Sequence, residues 1–319
     1  MPLLKEPKYY LIDLCFSDTA GLFNQLWGLV NGIMIGHYTK RDIVVRGLYP
    51  QYDKRDTISI SKVIDLDRLN KSLVKLGIKT VVHNKKSLSN IDWKKSSLFN
   101  PGLRSIRYPM FIPIVNLLLL ETHVYTDLGS TCFYPLGNYP DHIQGMVRSI
   151  FRVLPFTDKI YSVVNECISI LGLKTETGYS SVHLRMEDDM LKMFDECHKI
   201  NPEEYTKKYM EKYWVFMEEL FGKNDDIYLA THLCRSENKN NHLPSLIKER
   251  YPNVRFWEGK DTWRRHYPNF IQGREIDALI DYLMCTKSRK FVGFIPSTFS
   301  WAVSNHFHND HRIVRVIEH

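Results

Sequence analysis

The 319-residue chain contains no apolar run that reaches the roughly 18 residues of a membrane span. Its longest candidate, Met110 to Leu120, is interrupted by Pro113 and Asn116, so a buried segment is expected there. The six cysteines, Cys15, Cys132, Cys167, Cys197, Cys234 and Cys285, include no Cys-x-x-Cys pair, which excludes zinc-finger spacing. Residues Met1 to Lys8 lack the apolar core and small-residue cleavage site of a signal peptide. Reduced thiols and a cytoplasmic or host-cell cytosolic setting are therefore expected. There is no internal repeat and no low-complexity linker. No zinc-finger, RNP or helix-turn-helix signature is present, so nucleic acid is not an expected partner.

What is present fits an enzyme with a large core. The composition is 44% hydrophobic and 25% charged, and the length favours two domains over one. The 43 Lys and Arg against 36 Asp and Glu leave a net charge of +7, unevenly spread. Between Arg68 and Arg107 stand ten basic residues and one acid, Asp92. Such a block either attracts an acidic acceptor or another anionic surface, or is an ordinary solvated face.

Strand-like runs fall at Tyr9 to Leu14, Ile43 to Arg46, Thr80 to His83, Tyr179 to Leu184, Asp226 to Ala230, Val254 to Phe256, Phe291 to Phe294 and Ile313 to Ile317. Helical patterns fall near Asn24 to His37, Asp158 to Leu171, Pro202 to Phe221, Leu243 to Arg250, Gly273 to Cys285 and Thr298 to His306. This alternation predicts an α/β chain with parallel sheets covered by helices. The turn around Lys174 to Gly178 is the expected boundary, giving domains 1–175 and 176–319.

Two strand ends carry chemistry. In Ser180-Ser181-Val182-His183-Leu184-Arg185, His183 and Arg185 share a face opposite Val182 and Leu184, and glutamate and aspartates follow at 187, 188 and 189. Ligands bind at the carboxyl ends of strands in open α/β sheets, so this face suits an anion. Two other readings stand beside it: Arg185 paired with its acidic neighbours on a loop, and His183 as a hydrogen-bonded core residue. The second strand, Phe291 to Ile295, runs into Pro296-Ser297-Thr298-Phe299-Ser300. Ser297 and Thr298 are good N-cap types, and the amides opening the next helix would form a phosphate cradle without a Gly-rich loop.

Together with Gly21-Leu22-Phe23-Asn24-Gln25, these segments resemble the GDP-fucose protein O-fucosyltransferase superfamily, most closely its plant-type branch. His183-Leu184-Arg185-Met186-Glu187-Asp188-Asp189-Met190 is similar to the branch's His-Leu-Arg-x-Glu-x-Asp-Met pattern, and Ser297 to Ser300 to its Ser-Thr-Phe-Ser motif. The resemblance implies a GT-B fold, two Rossmann-like domains facing across a cleft. The first would be the acceptor side and the second would hold the nucleotide sugar. It assigns Arg185 to the leaving diphosphate, with Ser297, Thr298 and the amide of Phe299. His183 and Asp281 would contact the nucleoside, with Asp277 as a competitor one turn earlier. Gly21, Glu187 and Asp189 complete the expected donor site.

Asn24 matches a family position near the reacting centre but, as a neutral amide, cannot act as a base. Asp18 on the same loop is the candidate base, with Asp188 and Asp189 as alternatives. No metal and no cofactor are expected, only a nucleotide-sugar donor. The resulting expectation is an inverting, metal-independent glycosyltransferase acting on a glycan or glycoprotein hydroxyl. GDP-fucose is the default donor; UDP-xylose and rhamnose nucleotides are alternatives. The rival of another class is a non-catalytic module whose basic face holds an anionic glycan or nucleic acid.

Overall fold

Among the described residues ten strands form two separate sheets in which every pairing is parallel. The computed structural model describes residues 7–14, 21–50, 56–96, 115–116, 118–130, 141–175, 178–198, 201–234, 238–258, 263–294, 297–307 and 313–317. The first sheet comprises β1 (Tyr9–Asp13), β2 (Asp42–Val45), β3 (Val82–Asn84), β4 (Lys94–Lys95) and β5 (Tyr125–Ser130), in the order β3-β2-β1-β5-β4. The second comprises β6 (Ser180–His183), β7 (Ile227–Ala230), β8 (Val254–Arg255), β9 (Lys290–Phe294) and β10 (Ile313–Ile317), in the order β10-β9-β6-β7-β8. Helices α1 (Leu22–Thr39), α2 (Leu66–Lys75), α3 (Asp141–Val153), α4 (Asp158–Ile170), α5 (Asp188–His198), α6 (Pro202–Leu220), α7 (Leu243–Arg250), α8 (Arg274–Thr286) and α9 (Thr298–Phe307) join them.

The chain divides into two compact units, residues 1–160 with 273–277, and residues 161–272 with 278–319. The division falls at Ile160, within α4, and returns the first turn of α8 to the first unit.

In the first unit α1 lies close on the sheet because Gly28, Gly32 and Gly36 form a stripe without side chains. A Cβ at Gly28 would stand 2.6 Å from the Leu14 carbonyl oxygen, and one at Gly36 would stand 2.6 Å from that of Arg41. Arg41, just before β2, is buried, and its guanidinium donates to the carbonyls of His123 (2.6 Å) and Glu121. It also lies 4.6 Å from the centroid of the Tyr10 ring, so the segment entering β5 is tied to β1 and β2.

Elements α2, α3, α5, β4 and β5 have no counterpart in the periodicity reading. Strand β5 contains Asp127 and Gly129, types depleted in strands, and one of its inward positions is Thr126. Burial of that hydroxyl is tolerated because it donates to the His123 carbonyl at 3.3 Å. The expected burial of Met110 to Leu120 is met at Val115 and Leu118 but not at Leu119 and Leu120, which are 55% and 68% exposed. Residues 110–114 and 117 lie outside the described ones.

The second unit packs α6 against β9 and β10, with Tyr205, Tyr209 and Tyr213 on one buried helical face. They join Val182, Leu184, Leu229, Val292 and Phe294 in one apolar cluster. From β6 the chain builds β7 and β8 on one side, then places β9 and β10 on the other. The crevice between β6 and β9 is therefore a topological switch point, where open α/β sheets take their ligands.

Candidate active site

The segments that leave β6 and β9 flank this switch point. All four residues of β6 are buried, so its end is fixed, and His183 is 7% exposed. His183 Nδ1 lies 2.7 Å from Ser300 Oγ, which also accepts the Phe294 N–H at 2.9 Å. A serine oxygen that accepts this N–H keeps one lone pair and its own hydrogen, so it can pair with Nδ1 in either direction. Burial pushes the His183 pKa down to about 3, so the ring is neutral, and it stacks on Phe299 at a centroid distance of 4.2 Å.

Gly293 permits this approach of Ser300. A Cβ there would meet the Phe291 ring at 2.6 Å and Ser300 Oγ at 2.7 Å. Ser297 donates its N–H to the Phe294 carbonyl at 3.0 Å and accepts that of Trp301 at 3.0 Å, closing the turn that starts α9. Helix-opening amides have no acceptor inside the helix, so a start at Thr298 favours an anion near Ser297, Thr298 and Phe299.

Arg185 follows on the same side of the sheet. Its backbone is fixed by Tyr213, whose hydroxyl donates to the His183 carbonyl at 2.8 Å and accepts the Arg185 N–H at 3.5 Å. The guanidinium donates to Glu187 Oε2 at 2.6 Å and, bidentately, to Asp189 at 3.0 and 2.6 Å. Burial opposes its charge, but Glu187 and Asp189 outweigh that and raise its pKa. Burial likewise opposes charge on Glu187, but Arg185, then His232 and His183, hold its carboxyl below the ordinary range. The pairing of Arg185 with its acidic neighbours and the hydrogen-bonded, buried His183 are thus both found, in the same cluster as the helix-opening turn.

Asp281 on α8 accepts the Tyr228 hydroxyl at 2.5 Å and is half-buried. Burial, then Asp281, raises the Tyr228 pKa, so this phenol stays protonated. Asp281 and Glu187 are both felt by Cys234, just beyond β7, whose thiol burial pushes up to about 11. Gly21 and Asn24 belong to the first unit, where the Gly21 carbonyl accepts the N–H groups of Asn24 (3.0 Å) and Gln25 (3.2 Å) as α1 opens. Asp277 also falls in the first unit. Asp18 lies outside the described residues. Asp188 accepts the Lys239 N–H at 3.1 Å. Among the described residues no group of three or more His, Cys, Asp or Glu side chains is arranged to hold a metal ion.

The residue reading missed His232, Tyr213 and Glu275. His232 donates its backbone N–H to Glu187 Oε1 at 3.1 Å and interacts electrostatically with His183. Its signal was available, since Thr231-His232 follow β7 as Arg185 follows β6. Glu275 is 4% exposed and accepts the Leu22 N–H, which places a carboxylate at the positive end of α1. Nothing local in the sequence joins residues so far apart.

A family profile described as GDP-fucose protein O-fucosyltransferase matches residues 45–309. The chain belongs to this family. It is a glycosyltransferase that uses a nucleotide-sugar donor. Solved structures agree in fold. POFUT1 without ligand superposes with a TM-score of 0.61 at 13% identity over 99% of both chains. POFUT1 in complex with GDP gives 0.62 at 12% identity, over 98% of this chain and 99% of that one. The fucosyltransferase NodZ from Bradyrhizobium gives 0.55 at 13% identity, over 98% and 96%. At such low identity the likeness concerns the fold, which is α/β of the GT-B class. No curated protein matches the sequence. No helix among the described residues is long and apolar enough to cross a membrane.

Proposed function

We propose that the protein transfers fucose from GDP-fucose to a hydroxyl of a glycan or protein, with inversion and without a divalent ion. The observation that carries this reading is the meeting, at the β6/β9 switch point, of His183, two residues before Arg185, with Ser300 in the first turn of α9. The acceptor oxygen forms a bond to the anomeric carbon, and the bond from that carbon to the β-phosphate oxygen breaks. GDP departs with the bonding electrons. Arg185 and the opening amides of α9 stabilise the negative charge that grows on the diphosphate.

Neutral His183 hydrogen-bonds the nucleotide, and Asp281 accepts from the guanine N–H edge. POFUT1 has been solved with GDP-fucose, and NodZ has been soaked with it, which supports the choice of donor. Metal independence is supported by the carboxylates Glu187 and Asp189, which turn to a guanidinium. The acceptor's proton passes to a base, with Asp18 the candidate, and Asn24 orients the hydroxyl. The test is the melting temperature in a panel of GDP, UDP and their sugars, with and without Mg²⁺. A GDP-selective rise that ignores Mg²⁺ is expected. A UDP-selective rise would refute the donor assignment, and no rise with any nucleotide would favour a non-catalytic, anion-binding module.

A further inference from the structure

Arg185 has two carboxylate partners that are held very differently. The Glu187 side chain is 6% exposed, and its second oxygen accepts the His232 N–H at 3.1 Å. Its carbonyl accepts the N–H groups of Met190 (3.0 Å) and Leu191 (3.1 Å), so the whole residue is built into the start of α5. The Asp189 side chain is 57% exposed, yet it takes both nitrogens of the Arg185 fork, at 3.0 and 2.6 Å.

A bidentate carboxylate offers a guanidinium the same pair of oxygens that a phosphate offers. A diphosphate and Asp189 therefore compete for the same donors, and two anions on one fork repel.

We propose that Asp189 is a displaceable counter-ion of Arg185: it holds the fork in register, and it must swing into solvent before the donor's diphosphate can take its place. This rests on the reading that Arg185 engages that diphosphate. Glu187 keeps the guanidinium in position throughout, because its own bonds anchor it. Asp189 thereby lowers donor affinity, and its return to the fork speeds release of the nucleoside diphosphate product. It opposes donor binding through Arg185 instead of contributing a contact.

The test is calorimetric titration of the full chain with GDP, UDP and inorganic pyrophosphate, for the wild type, Asp189→Asn, Asp189→Glu and the double variant Arg185→Ala/Glu187→Gln. Asparagine keeps the size and the helix-start chemistry but loses the charge, so a fold effect would weaken binding while loss of competition tightens it. Exposed ion pairs are worth little, so tightening by about two- to fivefold is expected for nucleotide and pyrophosphate alike, with slower dissociation. Asp189→Glu, which can reach the fork again, should bind as the wild type does. Unchanged or weaker binding by Asp189→Asn, alongside loss of binding in the double variant, overturns the counter-ion proposal alone. Wild-type affinity in the double variant overturns the assignment of Arg185 to the diphosphate.

Discussion

Replacing Arg185 by alanine tests more than catalysis, because it strands a buried carboxylate. Glu187 is 4% exposed and its charge is sustained against burial mainly by Arg185. Removing one partner of a buried pair costs about 3–5 kcal/mol. The His232 N–H that remains on Glu187 places the expected loss near the lower end, about 3 kcal/mol at neutral pH. At about 2–4 °C per kcal/mol for a unit of this size, melting should fall by about 6–12 °C.

The pH dependence gives the sign. In the wild type the folded pKa of Glu187 is depressed, so its contribution is present above the unfolded value, about 4.3, and is lost as pH falls through the folded one. In Arg185→Ala burial is left as the largest influence and raises the folded pKa, so the variant gains stability relative to the wild type as pH falls and the carboxyl protonates. Scanning calorimetry at pH 7.5 and pH 5 should show a deficit that shrinks in acid. Adding Glu187→Gln should recover most of the melting temperature while transfer stays abolished. A single variant that melts like the wild type at both pH values would refute the buried-pair argument, and one that also turns over normally would remove Arg185 from the mechanism.

The neutral, buried His183 predicts a second pH effect, in a different window. Its folded pKa of about 3 lies below the unfolded value near 6.5, so stability should fall as pH drops below about 6.5, by up to about 1.4 kcal/mol per unit, and His183→Gln should lose that component in urea titrations. Gly293→Ala should cost about 1–3 kcal/mol by overpacking against Phe291 and Ser300, and should weaken nucleotide binding by shifting His183; unchanged GDP affinity would sever that link. Arg41→Ala should cost about 1–3 kcal/mol, because the buried Glu121 carbonyl loses the guanidinium and the His123 carbonyl is left with the Thr126 hydroxyl. In denaturant titration a midpoint within error of the wild type would show that Arg41 does not anchor β5.

The core strands were legible because buried parallel strands read as short apolar runs, as in Ile227–Ala230 and Phe291 to Phe294. Strand β5 was not, because its burial is sustained by the hydroxyl of its own Thr126 and by Arg41, a partner distant in sequence. Helix α5 was masked by its own chemistry. Its first residues, Asp188 and Asp189, carry charges that read as an acidic motif, although aspartates in a first turn are also what the helix dipole favours.

The same contrast explains which parts of the site could be read. His183, Arg185 and Ser297 to Ser300 could be found because each follows a recognisable strand, and the sheet order then converts two sequence positions into one crevice. What the strand grammar leaves open is which charge faces which. Asp189 and Glu187 are two residues apart and chemically alike, yet one is exposed and forked to Arg185 while the other is buried and fixed by a backbone amide. That difference depends on β7 lying next to β6, which brings the His232 amide to Glu187, whereas Asp189 accepts the amide of its neighbour Met190 at 2.9 Å. Sheet topology, in this way, assigns different roles to two carboxylates that the local sequence makes equivalent.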